Sequence, residues 1–188
     1  MTRVRIRARV VVDVTRRAYT CHDQPMASED VDAAPIDFAV ACWREERQWT
    51  VLALPERSTS SAEALVSALR QLPGEGGVFG FVSVSDEFFV AVRQAGDHTR
   101  AFISDGTCIL DFELAEELAE FIGLEMDEDD LEDFEPVGDL SLFADFGLDA
   151  TELSLLCGDS DLYPDEQVRM IAKRVGFLPQ LTVAMPTG

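Results

Sequence analysis

Two runs near the middle of the chain leave little freedom of architecture. Val78-Phe-Gly-Phe-Val-Ser-Val84 and Glu87-Phe-Phe-Val-Ala-Val-Arg93 are both strand-like, and only Ser85-Asp86 separates them. Two residues suffice for a hairpin and exclude a parallel pair, which needs a crossover of a dozen residues or more. The pattern repeats upstream, where Asp37-Phe-Ala-Val-Ala-Cys-Trp43 and Trp49-Thr-Val-Leu-Ala-Leu54 flank the charged turn Arg44 to Gln48. Downstream, Ala95-Gly-Asp-His98 turns the chain into Thr99-Arg-Ala-Phe-Ile-Ser104. An antiparallel sheet of about five strands is therefore expected.

Helices fall between and after these strands. Ser60-Ser-Ala-Glu63 reads as a capping box, followed by Leu65, Leu69 and Leu72 at helical spacing and the stop Pro73-Gly74. Leu114, Leu118, Phe121 and Ile122 predict a second helix closed by Gly123. Asp105-Gly106 fits a tight hairpin turn, and Thr107 to Phe112 fits either a sixth strand or the run into that helix. The order ββαβββα places the chain in the α+β class, an antiparallel sheet covered by helices.

Glu125 to Glu135 breaks the composition, with acid at eight of eleven positions. Beyond it the pattern is helical. Asp139 reads as the cap of a short helix ending near Gly147, and Asp149-Ala-Thr-Glu152 as a second capping box, with Leu148 and Leu153 as its staple. Pro164 opens a third helix, whose stripe is Val168, Ile171, Ala172 and Val175 and whose stop is Gly176. The expected organisation is an N-terminal extension over 1–35, a sheet domain over 36–123 and an acidic linker over 124–137. A small helical unit over 138–178 and a tail over 179–188 complete it. So small a helical unit buries too little to stand alone, so it is expected to dock on the sheet.

Charge narrows the partners. From Ala101 to Val168 there is no lysine, arginine or histidine, and the 68 residues carry 22 Asp and Glu. The net charge of the chain is −21. Such a surface repels phosphate backbones and anionic membranes and attracts basic protein faces. The first 25 residues run the other way, with Arg3, Arg5, Arg7 and Arg9 alternating with apolar residues. Met26, followed by Ala-Ser-Glu-Asp, is the expected native start. Four dispersed cysteines, 21, 42, 108 and 157, predict reduced thiols and a cytoplasmic protein, with Cys42 and Cys157 as small core residues.

No motif supplies catalysis. Zinc deamination needs His-x-Glu and Pro-Cys-x-x-Cys, and neither occurs. A pairing of Ser104 with His98 is conceivable, but both histidines, His22 and His98, read as exposed loop residues. Gly74-Glu-Gly-Gly-Val-Phe-Gly80 precedes a strand, whereas a phosphate loop must open a helix, so it reads as a helix-to-strand turn. No cofactor and no metal ligand set is expected. The acidic run has three readings: a cation loop lacking the glycine and glutamate such loops need, a solvated linker, or a docking segment. In the third, Glu125, Asp127, Glu128, Asp129, Asp130, Leu131, Glu132, Asp133, Phe134 and Glu135 contact the partner, with Met126 adding apolar surface. Its charge density approaches that of single-stranded RNA, so it suits a basic groove built for RNA.

Three runs carry a resemblance. Leu69 to Val90, Gly138 to Asp149 and Leu156 to Glu166 resemble the actinobacterial tRNA adenosine deaminase-associated proteins, and the likeness extends over about 36–178. The resemblance implies a protein encoded beside a wobble-adenosine tRNA deaminase and supplies no site residues. The leading expectation is a non-enzymatic accessory protein that binds the deaminase, or another RNA-handling protein, through its acidic half. A nucleic-acid mimic or immunity-type protein, and a small-ligand binder using Asp86, Glu87 and Asp105, stand as alternatives. A basic protein partner is expected, with no direct nucleic-acid or membrane contact.

Overall fold

The computed structural model describes residues 34–74, 76–125 and 134–185. The proposed N-terminal extension up to residue 33, its start at Met26, and residues 126–133 of the acidic run lie outside the described residues. The strands are β1 (Ile36–Glu45), β2 (Gln48–Ala53), β3 (Val78–Val84), β4 (Phe88–Ala95), β5 (His98–Ile103) and β6 (Val137–Gly138). The helices are α1 (Ala62–Arg70), α2 (Glu113–Phe121), α3 (Ala150–Cys157), α4 (Pro164–Val175) and α5 (Leu178–Ala184). The sheet runs β2-β1-β3-β4-β5-β6, with every neighbouring pair antiparallel. The fold class is α+β, with six strands where about five were expected.

Tight turns set the register. Glu46 and Arg47 join β1 to β2, and a three-residue loop ending in Glu87 turns the chain at Ser85 and Asp86 between β3 and β4. Glu46, Arg47, Ser85 and Asp86 all have positive φ, the backbone of hairpin turns that match strand twist. No glycine relieves the second turn, so a side chain holds it. Asp37 Oδ2 accepts hydrogen bonds from the Asp86 amide at 2.8 Å and the Ser83 hydroxyl at 3.0 Å.

Both faces of the sheet are covered. On one, Val82, Val90, Val92, Phe88 and Ile103 pack against α1 and α2 through Leu65, Leu69, Leu114 and Leu118. Gly80 brings α1 close, because a Cβ there would lie 2.9 Å from Leu69 Cδ1. On the other, Phe79, Phe81, Phe89 and Phe102 pack against Phe143, Leu153, Val168, Ile171 and Leu181. The helices of 138–178 therefore share one core with the sheet, and the result is three layers with the sheet in the middle. This explains why β3 is buried at all seven positions. A strand dry on both sides is apolar at both parities.

Several boundaries differ from those expected. Gly106–Ile109 is a 3-10 turn leading into α2, with Asp105 accepting from the Thr107 amide, so Asp105-Gly106 is no hairpin. Ser61, one residue later than expected, caps α1 through the Ala64 amide. The second partner is not Glu63 but Glu117 of α2, which accepts from the Ala62 amide at 2.8 Å. Ala144–Phe146 is only a 3-10 turn, and Asp139 serves Arg100 and Ser141 instead of a helix. The expected tail contains α5, which packs beside β2. Phe177, Leu181 and Met185, spaced i, i+4, i+8, are its buried stripe.

Strand β6 is short but tightly seated. Gly138 pairs with Phe102, and the Asp139 amide donates to Ala101 O at 2.8 Å. A Cβ on Gly138 would lie 2.6 Å from Ala101 O, and its φ is 103°. Gly138→Ala is therefore expected to cost about 1–3 kcal/mol and to release β6. Faster hydrogen exchange at the Asp139 amide measures that release; unchanged exchange and stability would contradict it.

Candidate protein-docking surface

Arginines sort the carboxylates into paired and unpaired sets. Arg93 lies over the rings of Phe79 and Phe146 and donates to both oxygens of Asp145, at 2.8 and 2.7 Å. The same guanidinium donates to Leu142 O and Gly76 O, so it latches the 142–146 segment to the sheet. Burial is the largest single influence on the Asp145 carboxyl and raises it, but the hydrogen bonds and charge of Arg93, a backbone hydrogen bond and the charge of Arg100 together outweigh it and hold the group below its usual range. Arg100 Nε donates to Asp139, Arg174 to Glu152 and Arg169 to Asp165. None of these four ion pairs, the full set among the described residues, takes a carboxylate from α2.

The Arg100 hydrogen bond holds the Asp139 carboxyl down at about 2. An unfolded aspartate titrates near 4, so the pair's contribution is complete above about pH 4 and fades between about pH 4 and pH 2. Both partners are more than one-third exposed, which limits the expected loss in Asp139→Asn to about 0.5–1 kcal/mol at neutral pH. Urea midpoints at neutral pH and near pH 3 measure it. The gap between wild type and variant should narrow by about half near pH 3, midway through that window; a constant gap would mean that Asp139 acts as a neutral hydrogen-bond acceptor.

Helix α2 presents a different surface. Leu114, Ala115 and Leu118 face the sheet, which turns Glu113, Glu116 and Glu120 to solvent. Asp111 precedes them, exposed, and Phe121 is 41% exposed beside them. The chain then enters the acidic run. Both ends of that run are anchored: the Leu124 amide donates to Ala119 O, and Glu135 O accepts from the Gly106 amide at 2.8 Å. Of the ten docking residues read from the sequence, Glu125, Phe134 and Glu135 are described, and all three are exposed. Asp127, Glu128, Asp129, Asp130, Leu131, Glu132 and Asp133 lie outside the described residues. The α2 carboxylates were not among the ten. Their spacing, Glu113, Glu116 and Glu120 around Leu114 and Leu118, was the signal that extends the surface onto a helix.

The residues considered for a small-ligand or catalytic role are separated or already engaged. Asp105 accepts from the Thr107 amide and hydroxyl and from the Cys108 thiol. Asp86 and Glu87 sit exposed at the β3–β4 turn. Ser104 is buried, and its hydroxyl accepts from the Phe89 amide. His98 opens β5 at the other end of the strand, about 20 Å away at about 3.3 Å per residue. Burial pushes the Cys157 thiol up to about 12. Cys108, raised by burial and then by Asp105, is also at about 12, so these thiols are protonated and poor nucleophiles at neutral pH.

Residues 37–178 match the family described as Rv3753c-like tRNA adenosine deaminase-associated protein. The chain belongs to that family. Protein Rv3753c of Mycobacterium tuberculosis is 40% identical over 153 residues, which cover 80% of this chain and 88% of the relative. No solved structure matches the chain. The family match starts inside β1 and ends at the first residue of α5, so both helical layers are features of this tRNA adenosine deaminase-associated protein. The name describes association with a deaminase rather than deamination. Among the described residues, no helix is long and apolar enough to cross a membrane.

Proposed function

We propose that this protein is a non-enzymatic accessory protein that binds tRNA adenosine deaminase through a carboxylate surface formed by α2 and the acidic run after it. The observation that carries the reading is the division of charge. Asp139, Asp145, Glu152 and Asp165 are matched by arginines, whereas the carboxylates of α2 enter no ion pair among the described residues. Surface charge left uncompensated is available to a partner and steers its approach. A tRNA-binding enzyme presents a basic face, and Phe121 and Phe134 add apolar anchors to the electrostatic attraction. Docking on that face competes with tRNA, so the accessory protein inhibits or gates deamination. The protein acts in the cytoplasm, in keeping with the buried, unbridged Cys42, Cys108 and Cys157.

Purified protein and deaminase, mixed at low and at high salt with deamination assayed in the same samples, test this. The expected result is a complex that weakens as salt rises, together with slower tRNA turnover. Lack of a complex at low salt, with a deaminase preparation that still binds tRNA, would end the reading. A salt-insensitive complex would move the contact away from the acidic surface.

A further inference from the structure

The sheet has an open step at one end. β1 begins at Ile36, but its ladder with β2 starts only at Val40, opposite Ala53. The Leu54 amide closes that ladder on Ala39 O at 2.8 Å. Among the described residues no strand runs along Ile36–Phe38 on the β2 side. A groove of about 610 Å³ opens there, walled by Ile36, Phe38, Ala39, Leu54, Val84 and Leu114. Two exposed carboxylates, Glu56 and Glu113, belong to its lining. Glu113 also begins α2, so the groove is continuous with the acidic surface.

We infer that this groove receives an extended segment of the protein partner, laid as an added strand beside Ile36–Phe38. The inference rests on the accessory-protein reading above and names where a part of the partner's chain is held. Three features fix the chemistry of the occupant. An open strand edge offers main-chain donors and acceptors without regard to sequence. The apolar walls take side chains at alternate positions, the period of a strand. Glu56 and Glu113 take a lysine or arginine of the segment, and the net charge of −21 favours a basic segment over an acidic one. Three edge residues at about 3.3 Å each span about 10 Å, so the paired stretch is short, and the neighbouring acidic helix is left to contact parts of the intact partner outside this segment.

The test uses the full chain, with Ala53→Arg and Ser60→Trp as groove-filling variants. Both positions line the groove and are exposed, so folding is spared, and circular dichroism checks this. The probes are overlapping synthetic peptides of about ten residues that cover the host's tRNA adenosine deaminase, followed by fluorescence anisotropy. The inference expects binding of a peptide with alternating apolar residues and at least one Lys or Arg. That binding should weaken roughly tenfold or more in either groove variant and in the double variant Glu56→Lys/Glu113→Lys, but not in Glu116→Lys/Glu120→Lys. Amide exchange at Ile36–Phe38 should slow when the peptide binds. If the intact deaminase binds and no peptide does, or the groove variants bind peptides equally well, the groove assignment falls and the accessory reading stands. If neither deaminase nor peptide binds, the accessory reading itself has failed. A dimer in sedimentation that Ala53→Arg dissociates would assign the groove to a second copy and overturn the inference.

Discussion

Replacing Phe143 with alanine should remove about 3–5 kcal/mol of unfolding free energy, a large share of what a domain of this size possesses. The ring is fully buried. It stacks on Phe79 at 5.1 Å and Phe81 at 5.8 Å and meets Phe102 edge-on at 6.3 Å. Those three side chains come from β3 and β5, so truncation leaves a cavity between the sheet and its C-terminal helical layer. Phe143→Leu keeps most of the volume and should cost less than about 1.5 kcal/mol. Leu155→Ala, at an exposed site on α3, should change stability by less than about 0.5 kcal/mol. Urea unfolding followed by tryptophan fluorescence and by circular dichroism separates the outcomes. Trp49 reports directly, since its ring lies 5.2 Å from Phe177 and 5.1 Å from Phe146. One shared transition, shifted to lower urea, is expected. Two separate transitions in the wild type would show that the helical layer and the sheet do not form one cooperative core.

Reversing Glu113, Glu116 and Glu120 to lysine together should weaken binding of the deaminase by one to two orders of magnitude at low salt, mainly through slower association. Each reversal adds two charges, so the chain moves from −21 to −15. The three positions are exposed, and the apolar side of α2 is untouched, so stability should hold. A matched triple, Glu46→Lys, Asp97→Lys and Asp161→Lys, makes the same change of net charge at exposed positions away from α2. That variant should keep most of its affinity. Equal losses in the two triples would mean that total charge, not the α2 surface, governs association. No loss in either would remove α2 from the interface. The salt dependence should flatten in the α2 triple alone, because fewer screened contacts remain.

Much of the fold was legible because hairpins are local. Ser85-Asp86 between two apolar runs determines an antiparallel pair whatever lies elsewhere, and Leu65 with Leu69 determines a helix that must bury one side. The acidic excess and the absence of a zinc-ligand pattern were equally plain from composition. The second covered face was harder to read. The parity of β3 and β4 carried it, since Val78-Phe-Gly-Phe-Val and Phe88-Phe-Val-Ala-Val are apolar at every position. Strand β6 was not readable, because two residues have no period, and Gly138 becomes a strand residue only by lying against Ala101 and Phe102. Helix α5 lacked a side-chain cap to announce it, although Phe177, Leu181 and Met185 held its spacing.

The docking surface divides in the same way. The sequence by itself determined that the second half is acidic, that Glu125 and Glu135 bracket a dense run, and that no basic residue near in sequence neutralises it. Only the tertiary structure decided which carboxylates are spent on arginines, because Arg93 meets Asp145 and Arg100 meets Asp139 from strands some forty to fifty residues away. It also decided that β1 outruns β2 and leaves a groove at the foot of α2. Local signals set turns, helical stripes and charge density, since these depend on neighbours in the chain. Ion pairing, edge exposure and grooves depend on neighbours in space, which exist only once both helical layers have closed on the sheet.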